Sequence, residues 1–462
     1  MKVLIVGGGG REHAIAWKLR QSPKLTELYC APGNAGIASV AECVNIEAED
    51  VDGITAFAAE KGMDLVVIGP EVPLAMGLTD MLQAKGVRVF GPNKSCARLE
   101  ASKSFTKAFL ERHHIPTARC KEFYDKEDLL EHIGQFGFPM VLKADGLAAG
   151  KGVVIAMNAA EAEKAIEDMM GKRVFGAAAD TVLVEEYLEG VEASMLCFVD
   201  GSTITPMESA QDYKRILDGD QGPNTGGMGS YSPSLIFSEE LEDQIRERIL
   251  APVYEGFKAD GLDFRGVLFV GLMITEEGPK VIEFNNRFGD PETQVVLPRL
   301  KNDLLEIFMA VTRDRLAEHT LRWSSESAVC VVLASGGYPG IYEKGRVISG
   351  LDDVDEDILV FHAGTRFESA RDSGVGAEVE FVRAANGGET DSTATNGAAG
   401  TTAGVSCAPP VVTAGGRVLG VTALGATQAE AREKAYKNAE KIHFEGAHFR
   451  YDIGRLNRPA ES

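Results

Sequence analysis

No two cysteines in this chain are spaced C-x-x-C, although it contains seven, and no two histidines stand four apart as H-x-x-x-H. A structural zinc site and a redox dithiol are therefore not indicated; the scattered, odd-numbered thiols read as reduced, mostly core-filling side chains of a cytoplasmic protein. No Ser–His–Asp or Cys–His set can be argued from position, so covalent catalysis by a side chain is not expected. Basic residues are also short: 47 Lys and Arg stand against 69 Asp and Glu, a net charge of -22. Such a chain repels nucleic acid and anionic membrane, and neither is expected as a partner. The charge does not exclude phosphorylated substrates, since a site can be locally positive inside an acidic protein. Long apolar runs are missing as well. Met1–Val6 is too short for a signal-peptide core, and nothing approaches membrane-spanning length.

The first hundred residues alternate apolar runs (Lys2–Val6, Asp64–Ile68, Val87–Phe90) with helical spacing such as Glu12–Leu19. Continuous apolar strands separated by helices predict an α/β unit with a parallel, doubly covered sheet. Ligands bind at the carboxyl ends of such strands, and here these ends carry Gly7–Gly10, Gly69-Pro70-Glu71 and Gly91-Pro92-Asn93. The middle section interleaves helices with hairpin signals at Asp200-Gly201 and Glu276–Pro279, which predicts an α+β unit with antiparallel sheet. A third unit starts near Ala328 and ends in a helix capped by Thr427. Within it, Ala384–Pro410 is rich in Ala, Gly, Thr, Ser and Asn and reads as a flexible insertion.

Several segments could carry chemistry. Gly7–Gly10, followed by Arg11-Glu12-His13, joins a strand to a helix, where backbone amides and the helix N-terminus favour a phosphate. It is not a clean G-x-G-x-x-G, so a nicotinamide nucleotide is a weak reading and a ligand-free turn remains open. The next small-residue loop, Pro32–Gly36, suits a sugar phosphate better. Lys143–Gly152 is a glycine-rich hairpin tip with lysines at both ends. Without a following Ser/Thr and helix it is no Walker loop, but it could cover a triphosphate; an ordinary exposed loop is the alternative. Val182–Leu188 runs from an apolar strand into a polar bend able to offer backbone groups to adenine, with Glu192 in reach of a ribose, unless its glutamates are merely solvated.

Glu283–Thr293 is the most informative segment. The two-residue period of a strand puts Glu283 and Asn285 on one face, and a carboxylate with an amide oxygen suits Mg²⁺. Arg287 joins that face if the strand continues, ready for a carboxylate or acyl phosphate; a Glu–Arg ion pair is the bland alternative. Residues 211–229 read as a long, polar, glycine-dense loop that either closes over a small ligand or stays disordered.

These motifs occur in the order seen in the phosphoribosylamine–glycine ligase family (glycinamide ribonucleotide synthetases) of the ATP-grasp superfamily, which the chain resembles from Val3 to about Arg455. The matching runs include Val6–His13, Ala31–Gly36, Gly69–Leu74, Lys143–Gly152, Gly222–Gly229, Arg287–Gln294 and Gly336–Gly340. The resemblance implies an N-terminal pre-ATP-grasp domain (1–102), an ATP-grasp domain (103–315, with a mobile lid at about 115–187) and a small C-terminal domain (326–456). It implies ATP contacted by Lys103, Lys143, Gly146, Gly150, Lys151, Gly152, Glu185, Glu186, Tyr187, Leu188 and Glu192, and Mg²⁺ or Mn²⁺ on Glu283 and Asn285. The phosphoribosyl group would lie over Gly8, Gly9, Gly10, Arg11 and Asn34 with Glu71 near the ribose. Asp212, Lys214, Arg287 and Asp290 would line the glycine and acyl-phosphate region. The activity implied joins glycine to 5-phosphoribosylamine in a monomer. Many ATP-grasp enzymes take a further metal carboxylate from the preceding strand; Val267–Ile274 has none.

Overall fold

A computed structural model of the chain describes residues 1–148, 152–368 and 409–455. Gly150, Lys151 and the 384–410 stretch as far as residue 408 lie outside these, so the expectations placed on them are not addressed by the structure. In the first hundred residues five parallel strands stand in the order Glu42–Cys43, Glu27–Pro32, Lys2–Gly7, Leu65–Ile68, Val89–Phe90. Val3, Leu4, Ile5 and Val6 are all fully buried, because helices cover both faces and leave no side for alternating polar residues. Gly7 pairs with Pro32 and Val6 with Ile68, so the loops after three strands open along one sheet edge.

Two antiparallel sheets follow. The smaller has the order Cys120–Phe123, Val182–Glu186, Met140–Ala144, Val153–Ala156. The larger has the order Ile204–Pro206, Val191–Val199, Gly266–Thr275, Gly278–Asn285. A third sheet is built on Ser327–Ala334, Arg417–Gly425 and Leu359–His362. The helix Gln428–Ala439 covers it, with Thr427 accepting from the Glu430 amide as its cap.

Residues 211–229 are not the open loop that their composition predicts. Gln211–Asp212 pairs with Gly229–Ser232, Arg215–Leu217 pairs with Gln221–Asn224, and Gly229–Ser232 adds to Ser327–Ala334. The middle of the chain thus supplies two strands to the C-terminal sheet, across the boundary expected from sequence. The polar side chains hide this: Ser230 and Ser232 are fully buried, but their hydroxyls donate to the Pro291 and Ser209 carbonyls.

One apolar cluster joins the units. Ile5 and Phe90 of the parallel sheet meet Phe198 and Phe269 of the larger antiparallel sheet, Phe308 of the helix Leu304–Val311, and Val332 of the C-terminal sheet. Phe90 and Phe308 stack with centroids 3.9 Å apart. Burying each such ring is worth about 2 kcal/mol, so these three sheets are held against one another, while the smaller antiparallel sheet keeps a core of its own around Phe123, Leu142 and Val184.

Candidate functional site

Glu283 and Asn285 lie at the end of the edge strand Gly278–Asn285. Its pairing with Gly266–Thr275 shifts register at Gly271, so Val281 faces Leu272 while Glu283 faces Gly271. This bulge lets Val281 and Phe284 both enter the core while Glu283 and Asn285 share the opposite face. The Asn285 amide nitrogen is 3.4 Å from Glu283 Oε1. Partial burial opposes ionisation of Glu283, but Lys214, Lys143 and Lys103 outweigh it and hold the carboxyl below its usual range. Gly271 opposite leaves room and adds no ligand, as the sequence of that strand implied.

The cations come from separate elements. Lys143, on the smaller sheet, donates to the Ile282 carbonyl at 3.2 Å and pairs with Glu185 Oε2 at 2.9 Å. Lys107 stands 3.2 Å from Glu185 Oε1, an ionic contact without hydrogen-bond alignment. Glu185 is therefore a buried anchor between two lysines. Lys103 opens the helix Lys103–Arg112; Ser102 caps this helix, and Asp145 accepts from the Ser104 amide at 2.7 Å. Lys103 in turn donates to the Gly146 carbonyl at 3.3 Å. Burial lowers its pKa, Glu283 raises it and Lys143 lowers it further. Lys107 and Asp145 were missed in the sequence, although Lys107 is one turn from Lys103 and so shares its helix face. Glu186 turns away: its carboxylate takes the Arg119 amide and guanidinium, and its own amide donates to the Arg119 carbonyl. Tyr187 is exposed and Leu188 half-buried at the bend beyond.

The strand ends at Asn285, yet Arg287 still reaches the same face and donates to Asn285 Oδ1 at 3.2 Å. It also pairs with Glu71 at 3.3 Å and Glu100 at 3.1 Å. Asn286, fully buried, donates to the Cys96 carbonyl, and its amide donates to Glu100, which fixes the turn. Lys214 pairs with Glu192 at 3.3 Å, and that carboxylate, against the cost of burial, raises the lysine pKa well above its ordinary value. Partial burial pushes Asp212 up against the pull of Lys214. Full burial and the nearby Asp212 carboxylate push Glu292 up to about 8. Glu292 lies inside the run singled out from sequence, but carries no motif signal of its own.

The glycine loop differs from its sequence reading. Gly7 adopts φ +121°, and a Cβ on Gly8 would lie 2.5 Å from the Gly33 carbonyl oxygen, so packing alone demands both glycines. The Gly9 amide donates to Glu12 Oε2 at 2.6 Å and the Arg11 amide to Asp290 Oδ2 at 3.4 Å. Carboxylates thus already face the helix start where an anion was expected. Asp290 lines this loop rather than the Glu283 face: its other oxygen accepts from Gln294 at 2.8 Å. Burial would raise its pKa, but Arg417 and Arg11 hold it below the usual range. Asn34 is saturated. Its amide nitrogen donates to the Gly8 and His362 carbonyls and its oxygen accepts from the Gly36 and Ile37 amides. It shapes the loop, and a direct ligand contact from its side chain would require breaking one of these bonds.

The structure therefore gathers Lys103, Lys143, Glu185, Glu192, Asp212, Lys214, Glu283, Asn285, Arg287 and Glu71 along one polar face, with Arg11 and Asp290 at its end. A carboxylate and an amide oxygen on one strand face could hold a divalent cation only together with outside ligands such as phosphate oxygens and water; among the described residues no group of three acids, histidines or cysteines could hold a metal unaided.

Family models for the N domain, the ATP-grasp (A) domain and the C domain of phosphoribosylglycinamide synthetase match residues 1–100, 101–293 and 328–456. The chain is 46% identical over 453 residues to a phosphoribosylamine–glycine ligase of Caldanaerobacter subterraneus subsp. tengcongensis, covering 98% of this chain and 99% of the relative. It is 47% identical over 458 residues to a trifunctional purine biosynthetic protein adenosine-3 of Gallus gallus, of which it spans 42%. The crystal structure of a phosphoribosylamine–glycine ligase from Thermotoga maritima superposes with a TM-score of 0.78 at 33% identity, over 98% of this chain and 100% of that one. A biotin carboxylase domain of Hydrogenobacter thermophilus 2-oxoglutarate carboxylase, solved with magnesium ADP, shares the fold at a TM-score of 0.68 and 16% identity, over 97% of this chain and 91% of that one.

Proposed function

The chain belongs to the phosphoribosylglycinamide synthetase family, and from that premise we propose that it joins glycine to 5-phospho-D-ribosylamine, converting ATP to ADP and phosphate and forming glycinamide ribonucleotide. The observation that carries this reading is the Glu283–Asn285 pair, presented on one strand face beneath Lys103, Lys143 and Lys214 and beside Arg287. A glycine carboxylate oxygen attacks the terminal phosphorus of ATP, the bond to the bridging oxygen breaks, and glycyl phosphate and ADP form. The amine of phosphoribosylamine then attacks the acyl carbon; the C–O bond to phosphate breaks and the amine loses a proton. Glu283 and Asn285 would hold Mg²⁺ or Mn²⁺, which neutralises phosphate charge when bound.

The residues act mainly by position and charge. Glu185 holds Lys143 in place for the phosphates, and Gly146 anchors Lys103 beside it. Glu192 and Leu188 border the nucleoside side of the cleft; Glu186 and Tyr187 lie behind them. Asp212, Lys214 and Arg287 face glycine and its acyl phosphate. Gly8–Arg11, with Glu71 linked to Arg287, face the phosphoribosyl group, and Asn34 and Asp290 shape that loop. The division at about 102 and 315–326, with 115–187 as a lid, fits a site that excludes water from an acyl phosphate. Among the described residues no helix is long and apolar enough to cross a membrane. The proposed ligase acts on small polar metabolites, in the cytoplasm and as a monomer. ADP release tests the function: it should need glycine and phosphoribosylamine together, and release that is indifferent to glycine, or requires bicarbonate or formate, would overturn it.

A further inference from the structure

Arg417 opens the strand Arg417–Gly425 of the C-terminal sheet, in the unit farthest along the chain from the glycine loop. Its Nη1 donates to the carbonyls of Asp290 at 2.6 Å and Gly226 at 2.7 Å, lies 3.4 Å from that of Gly227, and stands 3.5 Å from the Asp290 carboxylate. The same unit sends Tyr338, whose hydroxyl accepts from the Gly226 amide at 3.0 Å. Asp290 carries the constraint onward. It takes the Arg11 amide and is braced by Gln294, while the Arg11 guanidinium donates to Phe288, Asp290's own near neighbour, at 3.1 Å. Gly10 packs so closely on Gln294 that a Cβ would lie 2.6 Å from its amide nitrogen. An unbroken series of polar contacts thus runs from the C-terminal sheet to Gly8–Arg11.

We infer that Arg417 is a positioning residue for the phosphoribosyl substrate: it locks the Gly226–Gly227 turn and Asp290 to each other and so sets the shape of the loop that receives the ribose phosphate. The inference rests on the function proposed above and deepens it. Neither the Arg417 guanidinium nor the Tyr338 ring contacts a side chain of the lysine–Glu283 cluster; they reach it only through the Thr225 bond to the Lys214 carbonyl, so ATP binding is expected to be affected far less than binding of the phosphoribosyl group. The position calls for arginine because the two N–H groups of Nη1, held in the guanidinium plane, bridge carbonyls of two separate segments, which an ammonium on a flexible stem does poorly.

The test compares wild type with Arg417→Met, Arg417→Lys and Tyr338→Phe in steady-state turnover, and in thermal shift with glycinamide ribonucleotide or ATP as the added ligand. Arg417→Met should raise the KM for phosphoribosylamine about tenfold or more and lose the thermal shift given by the ribonucleotide. Its KM for ATP and its shift with ATP should stay within about twofold of wild type, and Arg417→Lys should recover part of the loss. Tyr338→Phe should show the same selectivity at about threefold, and it carries the test should Arg417→Met not fold. Equal losses toward both ligands would make Arg417 a general staple and overturn the inference, as would an unchanged ribonucleotide response in a folded variant. A wild-type chain that turns over with glycine and phosphoribosylamine while the variants match it would sink this inference alone; a wild type without that turnover would sink the function itself, and this inference with it.

Discussion

A carboxylate and an amide two residues apart hold a divalent cation weakly, but the same pair under three lysines marks where charge must be balanced when a nucleotide enters. Glu283→Gln keeps the shape of the side chain and removes its charge. ADP release at saturating substrates should fall about a hundredfold or more, equivalent to ~2.7 kcal/mol of barrier; a rate within threefold of wild type would show that the metal is held elsewhere. Glu292 has the opposite character. Its pKa is raised by burial and Asp212 to about 8, so the folded chain keeps a proton that the unfolded chain releases near pH 4.5. That stability is complete below the lower value and is lost as pH rises through the upper one. Thermal melts between pH 6.5 and 8 should therefore show wild type losing about 1–2 kcal/mol from this group, with Glu292→Gln losing none of it. Of these residues the sequence made Glu283 and Asn285 legible, since a strand's period is enough to pair them. Glu292 and Asp145 were not, because an acid inside a polar turn looks solvated until its neighbours in space are known.

Among the elements, the end of the strand Leu359–His362 docks the C-terminal sheet on the helix Gly10–Leu19. The His362 amide donates to His13 Nδ1 at 2.8 Å, so His13 is neutral with its proton on Nε2. Burial lowers the His13 pKa to about 3, helped by His362, and lowers that of His362 to about 4. The unfolded chain takes up protons below about 6.5 while these folded rings do not, so this contribution is present above 6.5 and lost as pH falls. Between pH 7.5 and 5 the loss should reach about 2 kcal/mol per ring. His13→Asn, which retains an acceptor and removes the titration, should flatten the acid limb of a denaturation series; an unchanged limb would place the acid sensitivity elsewhere. The regular elements themselves were readable: strand Lys2–Gly7, the hairpin at Glu276–Pro279 and the Thr427 cap lie where apolar period and turn chemistry put them. The segment 211–229 was not, because its strands are two to four residues long, Gln221–Asn224 is largely exposed, and the serines of Gly229–Ser232 are buried against carbonyls rather than on an apolar face.

For the molecule as a whole, the net charge of -22 surrounds a cleft in which lysines and arginines are held beside the carboxylates they pair with, so an acidic chain still presents cations to anionic substrates. The separate units are joined by one apolar cluster and by polar bridges such as Arg287 to Glu71 and Arg417 to Asp290. No local pattern reveals these bridges, since each links residues more than a hundred positions apart. The fold class was written in strand periodicity and the family in the order of its motifs; the coupling between units became visible only in three dimensions. The central claim, that this cleft forms an acyl phosphate from glycine, is tested most directly with glycine carrying ¹⁸O in both carboxylate oxygens. Analysis of the products by mass spectrometry should find one labelled oxygen in inorganic phosphate for each glycinamide ribonucleotide formed and the other retained in its amide. Phosphate released without label, alongside the same amide product, would contradict the account.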